Sequence, residues 1–226
     1  DHPEVPGRWQ YYGVSLPFWR SYDKEDPRRE FFYYDYTGDA KRDDQSDYGF
    51  HYMVPEEGVT VVPNDTTKYM QNVATMKYTY DMISDAYYDG RTICIFRLSD
   101  VILCKAEIEN NLNGPAAALP YLNQIRARAG APEYGKHNRF PAPSTKEAMN
   151  DAILKERGYE LVFEFQRRAD LIRFGKYEEV VNAHLKKLGI AQPTNVTSSL
   201  RYFPYPLNDA QLNPNLAAEN PSRLPK

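Results

Sequence analysis

The segment KERGYELVFEFQRRADLIRF, residues 155–174, combines an apolar stripe with an unusual density of arginine and glutamate. Its spacing predicts one long helix, because an apolar stripe recurs on one side of a helical wheel, formed by Leu154, Leu161, Phe165 and Ile172. Charged side chains lie close to this stripe, although charges normally occupy the opposite face of a helix. The pattern predicts a partly buried ionic network whose members are Arg157, Glu160, Glu164 and Arg168.

The glutamates of this segment admit a catalytic or a structural interpretation. Paired carboxylates serve as general acid and base in glycoside hydrolases, so a hydrolase is the third functional hypothesis. Helical spacing, however, predicts two ion pairs, Arg157 with Glu160 and Glu164 with Arg168. A neighbouring arginine lowers the pKa of a carboxyl group, whereas a general acid needs a raised pKa. We therefore expect the network to be structural.

The composition argues against several classes of protein. The chain has 226 residues and a formal net charge of −3, without a dense basic patch, so we expect no nucleic-acid partner. No apolar run is long enough to span a bilayer. The acidic residues Asp39, Asp43, Asp44 and Asp47 lack the calcium-loop pattern, and the histidines lack ligand spacing. We predict no metal and no cofactor, and free thiols at Cys94 and Cys104.

The two halves of the chain differ in character. Residues 1–96 are rich in Tyr, Pro, Asp and Gly, which predicts a loop-rich, aromatic, ligand-facing region. Short strands are expected at 29–36 and 76–80, and a charged loop at 39–47. Residues 97–226 predict a helical region, and we expect both regions to form one continuous domain. Because the chain begins without a start methionine or an apolar leader, we expect it to be part of a longer protein.

A pair of helices opens the second region. Apolar residues surround the first helix nearly completely, so we expect its middle to be buried. The sequence NLNGP at 111–115 then ends this helix and begins another, which stops at Gly130. The hairpin is close in length to a tetratricopeptide unit. The predicted fold is mainly α, a tetratricopeptide-like helical hairpin scaffold with long ordered loops and a few short β-strands.

The aromatic stretch near the start of the chain is the better candidate for function. Pyranose rings pack their flat C–H faces on aromatic rings, and their hydroxyls bond to nearby polar groups. The predicted ligand-binding residues are Trp9, Tyr11, Tyr12, Trp19, Arg20 and Tyr22. The alternative is that these rings pack onto the helical scaffold, as most aromatic side chains do.

Three blocks, in order, resemble the C-terminal region of the SusD/RagB family of outer-membrane nutrient-binding proteins. The first block is RLSDVILCKAE (97–107) with LNQIRARAG (122–130). The second, ERGYELVFEFQRRADLIR (156–173), is similar to E-R-x-x-E-L-x-F-E-G-x-R-x-x-D-L-x-R. The third is YFPYP (202–206) with NPN (213–215) and ENP (219–221). The resemblance covers residues 92–226, and the earlier residues match loosely through an aromatic loop that ends in DPR (26–28).

The resemblance implies a glycan-binding lipoprotein on the outer face of the bacterial outer membrane. Its ligand would be an oligosaccharide, its partner a SusC-like TonB-dependent transporter, and its lipid anchor would lie upstream of this chain. The resemblance also implies tetratricopeptide-like helix pairs beneath a loop-rich binding face, and binding without catalysis. The runner-up hypothesis is a tetratricopeptide-like protein-interaction scaffold, which would bind protein through its helices and show no affinity for sugar.

Overall fold

A helical hairpin of α2 (Leu98–Asn113) and α3 (Pro115–Ala129) forms the centre of the fold. The computed structural model describes residues 13–33, 35–41, 47–53, 72–75, 77, 94–187, 197, 203, 205–213 and 215. Helix α4 (Lys146–Glu160) packs against both hairpin helices. The core between the three helices is apolar and contains Leu103, Ala106, Ala118, Leu122, Ile125, Met149 and Ile153. The predicted mainly α fold with a helical hairpin is confirmed.

The end of α3 is fitted closely to the N-terminal part of the chain. Gly130 adopts the left-handed conformation, with φ of 72°, and ends the helix as the sequence predicts. A Cβ atom at this position would lie 3.2 Å from the Pro27 side chain. Pro27 begins a short 3-10 helix, Pro27–Phe31, so glycine allows this helix to approach the end of α3.

The described strands form two antiparallel sheets. A three-stranded antiparallel sheet has the order β1 (Val14–Ser15), β5 (Asn72–Thr75), β2 (Phe32–Tyr33), and α1 (Leu16–Arg20) follows β1 directly. Strands β3 (Asp35–Lys41) and β4 (Asp47–Met53) form a separate hairpin in which Gly38 pairs with Phe50. The predicted charged loop at 39–47 is therefore wrong at both ends, because backbone pairing extends the two strands into it. Of the strand predicted at 76–80, residue 77 is a bend, and the others lie outside the described residues.

The chain forms two compact units, Asp1–Glu160 and Leu161–Lys226. The predicted division between residues 96 and 97 falls inside the first unit, because the 3-10 helix and its neighbours pack against α3 and α4. The second unit contains α5 (Arg167–Arg173), α6 (Tyr177–Lys187) and α7 (Leu207–Leu212). Within it, α5 contacts α6, and the Arg168 guanidinium lies over the rings of Tyr177 and Phe203 at 5.5 and 4.7 Å.

The prediction of one helix over 155–174 is wrong. Helix α4 ends at Glu160, and α5 begins at Arg167. Between them, Phe163 and Phe165 adopt φ angles of 61° and 62°, which no right-handed helix can include. The backbone carbonyl of Glu160 instead accepts hydrogen bonds from Lys77 Nζ at 2.9 Å and Arg97 Nη2 at 2.7 Å. Side chains from elsewhere in the first unit thus satisfy the end of α4.

The expectation that the middle of α2 is buried holds for one face only. Leu103 and Ala106 have no exposed surface, but Leu98, Val101 and Ile108 are 71%, 56% and 53% exposed. Helices α3 and α4 cover one face of α2, and the described residues leave the other open. Among the described residues, no helix has the length and apolar character needed to cross a bilayer.

Candidate functional site

A cleft opens beside the contact between the N-terminal segment and the helices, with a volume of about 420 Å³. One wall is the turn that follows α1, residues 21–26. The opposite wall comes from α3, the loop after it, and α4. The cleft residues of this second wall are Arg126, Arg139, Phe140, Lys155 and Tyr159. All of the lining residues belong to the first compact unit.

Stacked aromatic rings form the base of this cleft. The rings of Tyr22 and Tyr159 stack with centroids 4.2 Å apart, and Phe18 packs edge-on against both. Tyr22 donates its hydroxyl to the backbone oxygen of Tyr159 at 3.0 Å, and Tyr159 donates its hydroxyl to the backbone oxygen of Ser21. These reciprocal bonds join the turn after α1 to the last turns of α4. Burial raises the pKa of Tyr159 to about 12, so its hydroxyl stays protonated near neutral pH.

A buried ionic network lies behind the aromatic base. Arg28 Nη2 lies 2.7 Å from Asp26 Oδ2, and Arg28 Nη1 lies 2.7 Å from Glu156 Oε1 and 3.0 Å from Glu160 Oε2. Asp26 also caps the 3-10 helix by accepting a bond from the Arg28 amide. Burial would lower the pKa of Arg28, but Glu156 and Asp26 raise it above its ordinary value. Arg28 is therefore charged at every accessible pH.

Glu156 and Glu160 of α4 extend this network to α3 and to the N-terminal end of α2. Glu156 Oε2 lies 2.7 Å from Arg126 Nη1, and Glu160 Oε1 lies 2.7 Å from Arg97 Nη1. Arg128 Nη2 adds a contact of 2.6 Å with Glu160 Oε1. Burial would raise the pKa of Glu160, but the hydrogen bond and charge of Arg97, with the charge of Arg128, lower it to about 2. Glu160 is consequently ionised at neutral pH.

Two members of the predicted network, Arg157 and Glu160, lie in ion pairs, but they do not pair with each other as predicted. Arg157 and Glu160 are both buried. Arg157 Nη1 binds Asp100 of α2 at 2.7 Å, and Glu160 binds the arginines described above. Glu164 is buried too, but it lies in the turn between α4 and α5, so the helical spacing that predicted its pair with Arg168 is interrupted.

The sequence patterns missed the partners that complete the network. Arg28 lies in the DPR tripeptide, and Arg126 and Arg128 belong to the RARAG end of α3. The acidic residues beside the apolar stripe of α4 did indicate that such arginines exist, because buried carboxylates require cations from neighbouring elements. Helical spacing within a single segment cannot identify these arginines, since they belong to other elements.

The predicted ligand-binding residues that the structure describes differ in how far they are exposed. Trp19 and Tyr22 are 6% and 3% exposed, and Trp19 Nε1 donates to the backbone oxygen of Arg29 at 3.3 Å. The Arg29 guanidinium lies 4.1 Å over the Trp19 ring. Trp19 therefore offers no open ring face for a sugar, and Tyr22 contributes to the base of the cleft. Arg20 is half-buried, and Trp9, Tyr11 and Tyr12 lie outside the described residues.

The described residues contain no group of three or more acidic, histidine or cysteine side chains that could hold a metal ion. Asp43 and Asp44 lie outside these residues. Within the described ranges, neither Cys94 nor Cys104 takes part in a disulfide, and both are half-buried.

Comparison with known proteins identifies the class of protein that carries this scaffold. The SusD family model matches residues 11–222 of the chain. The chain therefore belongs to the SusD family, and the resemblance drawn from the three sequence blocks is confirmed.

Two curated relatives illustrate the match. SusD-like protein P25 of Formosa agariphila is 39% identical over 120 residues, which are 53% of this chain and 22% of that protein. The starch-binding protein SusD of Bacteroides thetaiotaomicron is 28% identical over 137 residues, 60% of this chain and 22% of that protein. The matched parts of the chain cover about a fifth of the length of these relatives.

Two solved structures also match parts of the chain. A SusD superfamily protein of Bacteroides vulgatus matches 53% of this chain and 25% of its own, with 29% identity and a TM-score of 0.42. NanU of Bacteroides fragilis matches 88% of this chain and 37% of its own, with 19% identity and a TM-score of 0.46.

Proposed function

We propose that this chain is part of a protein that binds oligosaccharides at the bacterial cell surface and passes them to a SusC-like TonB-dependent transporter. The observation that carries the proposal is the match of the SusD family to residues 11–222. The name of the Bacteroides thetaiotaomicron relative, a starch-binding protein, supports a carbohydrate ligand. In this proposal the whole protein is held on the outer face of the outer membrane by a lipid anchor outside the chain.

The arrangement of Glu156 and Glu160 supports binding without catalysis. Both carboxylates are almost fully buried and bound by arginines, and the pKa of Glu160 is about 2. A glycosidase needs a carboxyl group that faces the sugar and keeps its proton near neutral pH. These glutamates instead hold α4 to its neighbours, so they favour the structural interpretation over the hydrolase hypothesis.

Affinity electrophoresis tests the binding step. The whole protein should migrate more slowly in gels that contain its polysaccharide than in gels without it, while a reference protein should migrate equally in both. Chromatography of an oligosaccharide after incubation with the protein should show the starting chain length. Retardation in no polysaccharide gel contradicts the proposal, and shortened products support the hydrolase instead.

The transporter step needs a separate measurement. Purification of the tagged protein from the membranes of its native host should recover a TonB-dependent transporter in a fixed ratio. Recovery of the protein by itself, under detergent conditions that preserve other outer-membrane complexes, would contradict the delivery step and leave glycan binding intact. Recovery of a different soluble protein together with absence of sugar binding would favour the protein-interaction alternative.

A further inference from the structure

The cleft beside Tyr159 carries more positive than negative charge. Its cationic lining residues are Lys24, Arg126, Arg139 and Lys155, and its acidic ones are Asp23 and Asp26. Both acidic groups are already engaged, Asp26 by Arg28 at 2.7 Å and Asp23 by Arg139 at 3.0 Å. The carboxylates of the cleft therefore leave part of its positive charge uncompensated.

Two lysines hold this uncompensated charge. Lys24 and Lys155 are both exposed at the cleft, one on each wall. Neither has a carboxylate partner among the described residues, although the Lys155 ammonium lies 5.7 Å from the centroid of the Tyr159 ring. An ammonium group on a flexible stem can reach a ligand without disturbing the scaffold.

Arg126 supplies a third donor from deeper in the cleft wall. It is 2% exposed, and its guanidinium is fixed by the backbone oxygen of Pro132 at 2.5 Å and by Glu156 at 2.7 Å. The guanidinium also lies 4.8 Å from the ring centroids of Tyr134 and Phe140. Its Nη2 atom is buried and has no hydrogen-bond partner in the described part of the chain.

A buried donor without a partner is costly, so an acceptor that reaches Arg126 would gain more than one bound at the surface. An anionic acceptor suits it best, because charge-assisted bonds to guanidinium are the stronger kind. The half-buried ring of Phe140 beside this donor offers an apolar surface for the C–H face of a pyranose. The volume of about 420 Å³ falls within the range of small-molecule sites.

We propose that this cleft binds the negatively charged group of an acidic oligosaccharide, a carboxylate or a sulfate, through Lys24, Lys155 and Arg126. The inference rests on the proposed glycan-binding function and names the class of sugar. Carboxylate and sulfate share the chemistry that the cleft recognises, a compact anion with several acceptor oxygens, and the experiment distinguishes them.

Isothermal titration of the whole protein with matched pairs of probes tests the inference. One pair is oligogalacturonate and its methyl ester, in which esterification removes the negative charge, and the other is a sulfated oligosaccharide and its desulfated form. We expect one charged probe to bind at least tenfold more tightly than its neutral match, with the preference falling as salt is added. The pair that shows the preference identifies the anion.

Variants of the exposed lysines assign the preference to the cleft. Lys24→Ala combined with Lys155→Ala should lower the affinity for the charged probe about tenfold and leave the affinity for its neutral match unchanged. Lys136→Ala is the matched control, because Lys136 is exposed and pairs with Glu133 outside the cleft. Both lysines lie on the surface, so their loss should not unfold the protein.

The outcomes separate the two proposals. Equal affinity for the charged and neutral probes overturns this inference and leaves glycan binding standing. A preference that survives the double lysine variant places the anion elsewhere and also overturns it. Binding of none of the four probes, together with no retardation in any polysaccharide gel, overturns the proposed function and with it the inference.

Discussion

The guanidinium of Arg28 lies 3.0 Å from the carboxylate of Glu160, although the two residues are 132 positions apart in the chain. Arg28 belongs to the 3-10 helix that packs on the end of α3, and Glu160 is the last residue of α4. The contact therefore holds the N-terminal segment, with one wall of the cleft, against the helical scaffold.

Replacing Glu160 by Gln should destabilise the protein strongly. The substitution keeps the shape of the side chain but leaves the buried charge of Arg28 without part of its compensation, and Arg97 and Arg128 lose their shared partner. We expect a loss of about 3–5 kcal/mol in the free energy of unfolding, measured by urea denaturation. Glu133→Gln is the matched control, because its pair with Lys136 is at the surface, and it should cost less than about 1 kcal/mol. Equal small losses in both variants would contradict a structural role for the network.

The same carboxylate should make stability depend on acid pH. The pKa of Glu160 falls from an ordinary value of 4.5 to about 2 in the folded protein. Because the folded pKa is depressed, its stabilisation is fully present above pH 4.5 and is lost as pH falls through about 2. The contribution is on the order of 3 kcal/mol. Urea unfolding across this pH range should show a shallower dependence in Glu160→Gln than in the native protein, and identical slopes would contradict the assignment.

Trp19→Ala should act on stability. The ring is 6% exposed and lies under the Arg29 guanidinium, so its removal leaves a cavity in the first unit. We expect a loss of about 3–5 kcal/mol in unfolding free energy. Phe31→Ala serves for comparison, because that ring is 55% exposed, and its cost should stay near 1 kcal/mol or below, as for an ordinary surface substitution. A Trp19 variant as stable as the Phe31 variant would show that the tryptophan is not part of the core.

Phe165 should tolerate glycine better than alanine. It has a φ of 62° and is 85% exposed, so either substitution removes little packing. Alanine keeps the strain of the left-handed conformation, whereas glycine relieves it. Phe165→Gly should therefore be about 1 kcal/mol more stable than Phe165→Ala, measured by thermal or urea unfolding. A more stable alanine variant would indicate that this turn does not adopt the left-handed conformation.

Local sequence patterns predicted the helical hairpin, because the residues that define each helix and its ends are close together in the chain. The stripe of α3 and the stop at Gly130 are properties of neighbouring residues, and both appear in the structure. The burial of Arg157 and Glu160 was also predictable, since charges placed beside an apolar stripe have to enter the core with it.

Contacts between distant segments explain what the sequence did not show. The partners of Glu160 come from three other elements, so spacing within α4 could not identify them. The break after Glu160 depends on left-handed residues at 163 and 165, and phenylalanine gives no local signal for that conformation. The family pattern has Gly at the position of Phe165, which was the available hint. The aromatic composition of the N-terminal region suggested exposed rings that could bind a sugar. Trp19 and Tyr22 instead pack into the apolar interior of the first unit.

Binding of an intact oligosaccharide is the central claim, and isothermal titration of the whole protein tests it most directly. The titration should give saturable heat with at least one oligosaccharide, and the sample recovered from the calorimeter should contain no new reducing ends. Heat that never saturates with any neutral or acidic oligosaccharide, or release of reducing ends during the titration, would contradict the account.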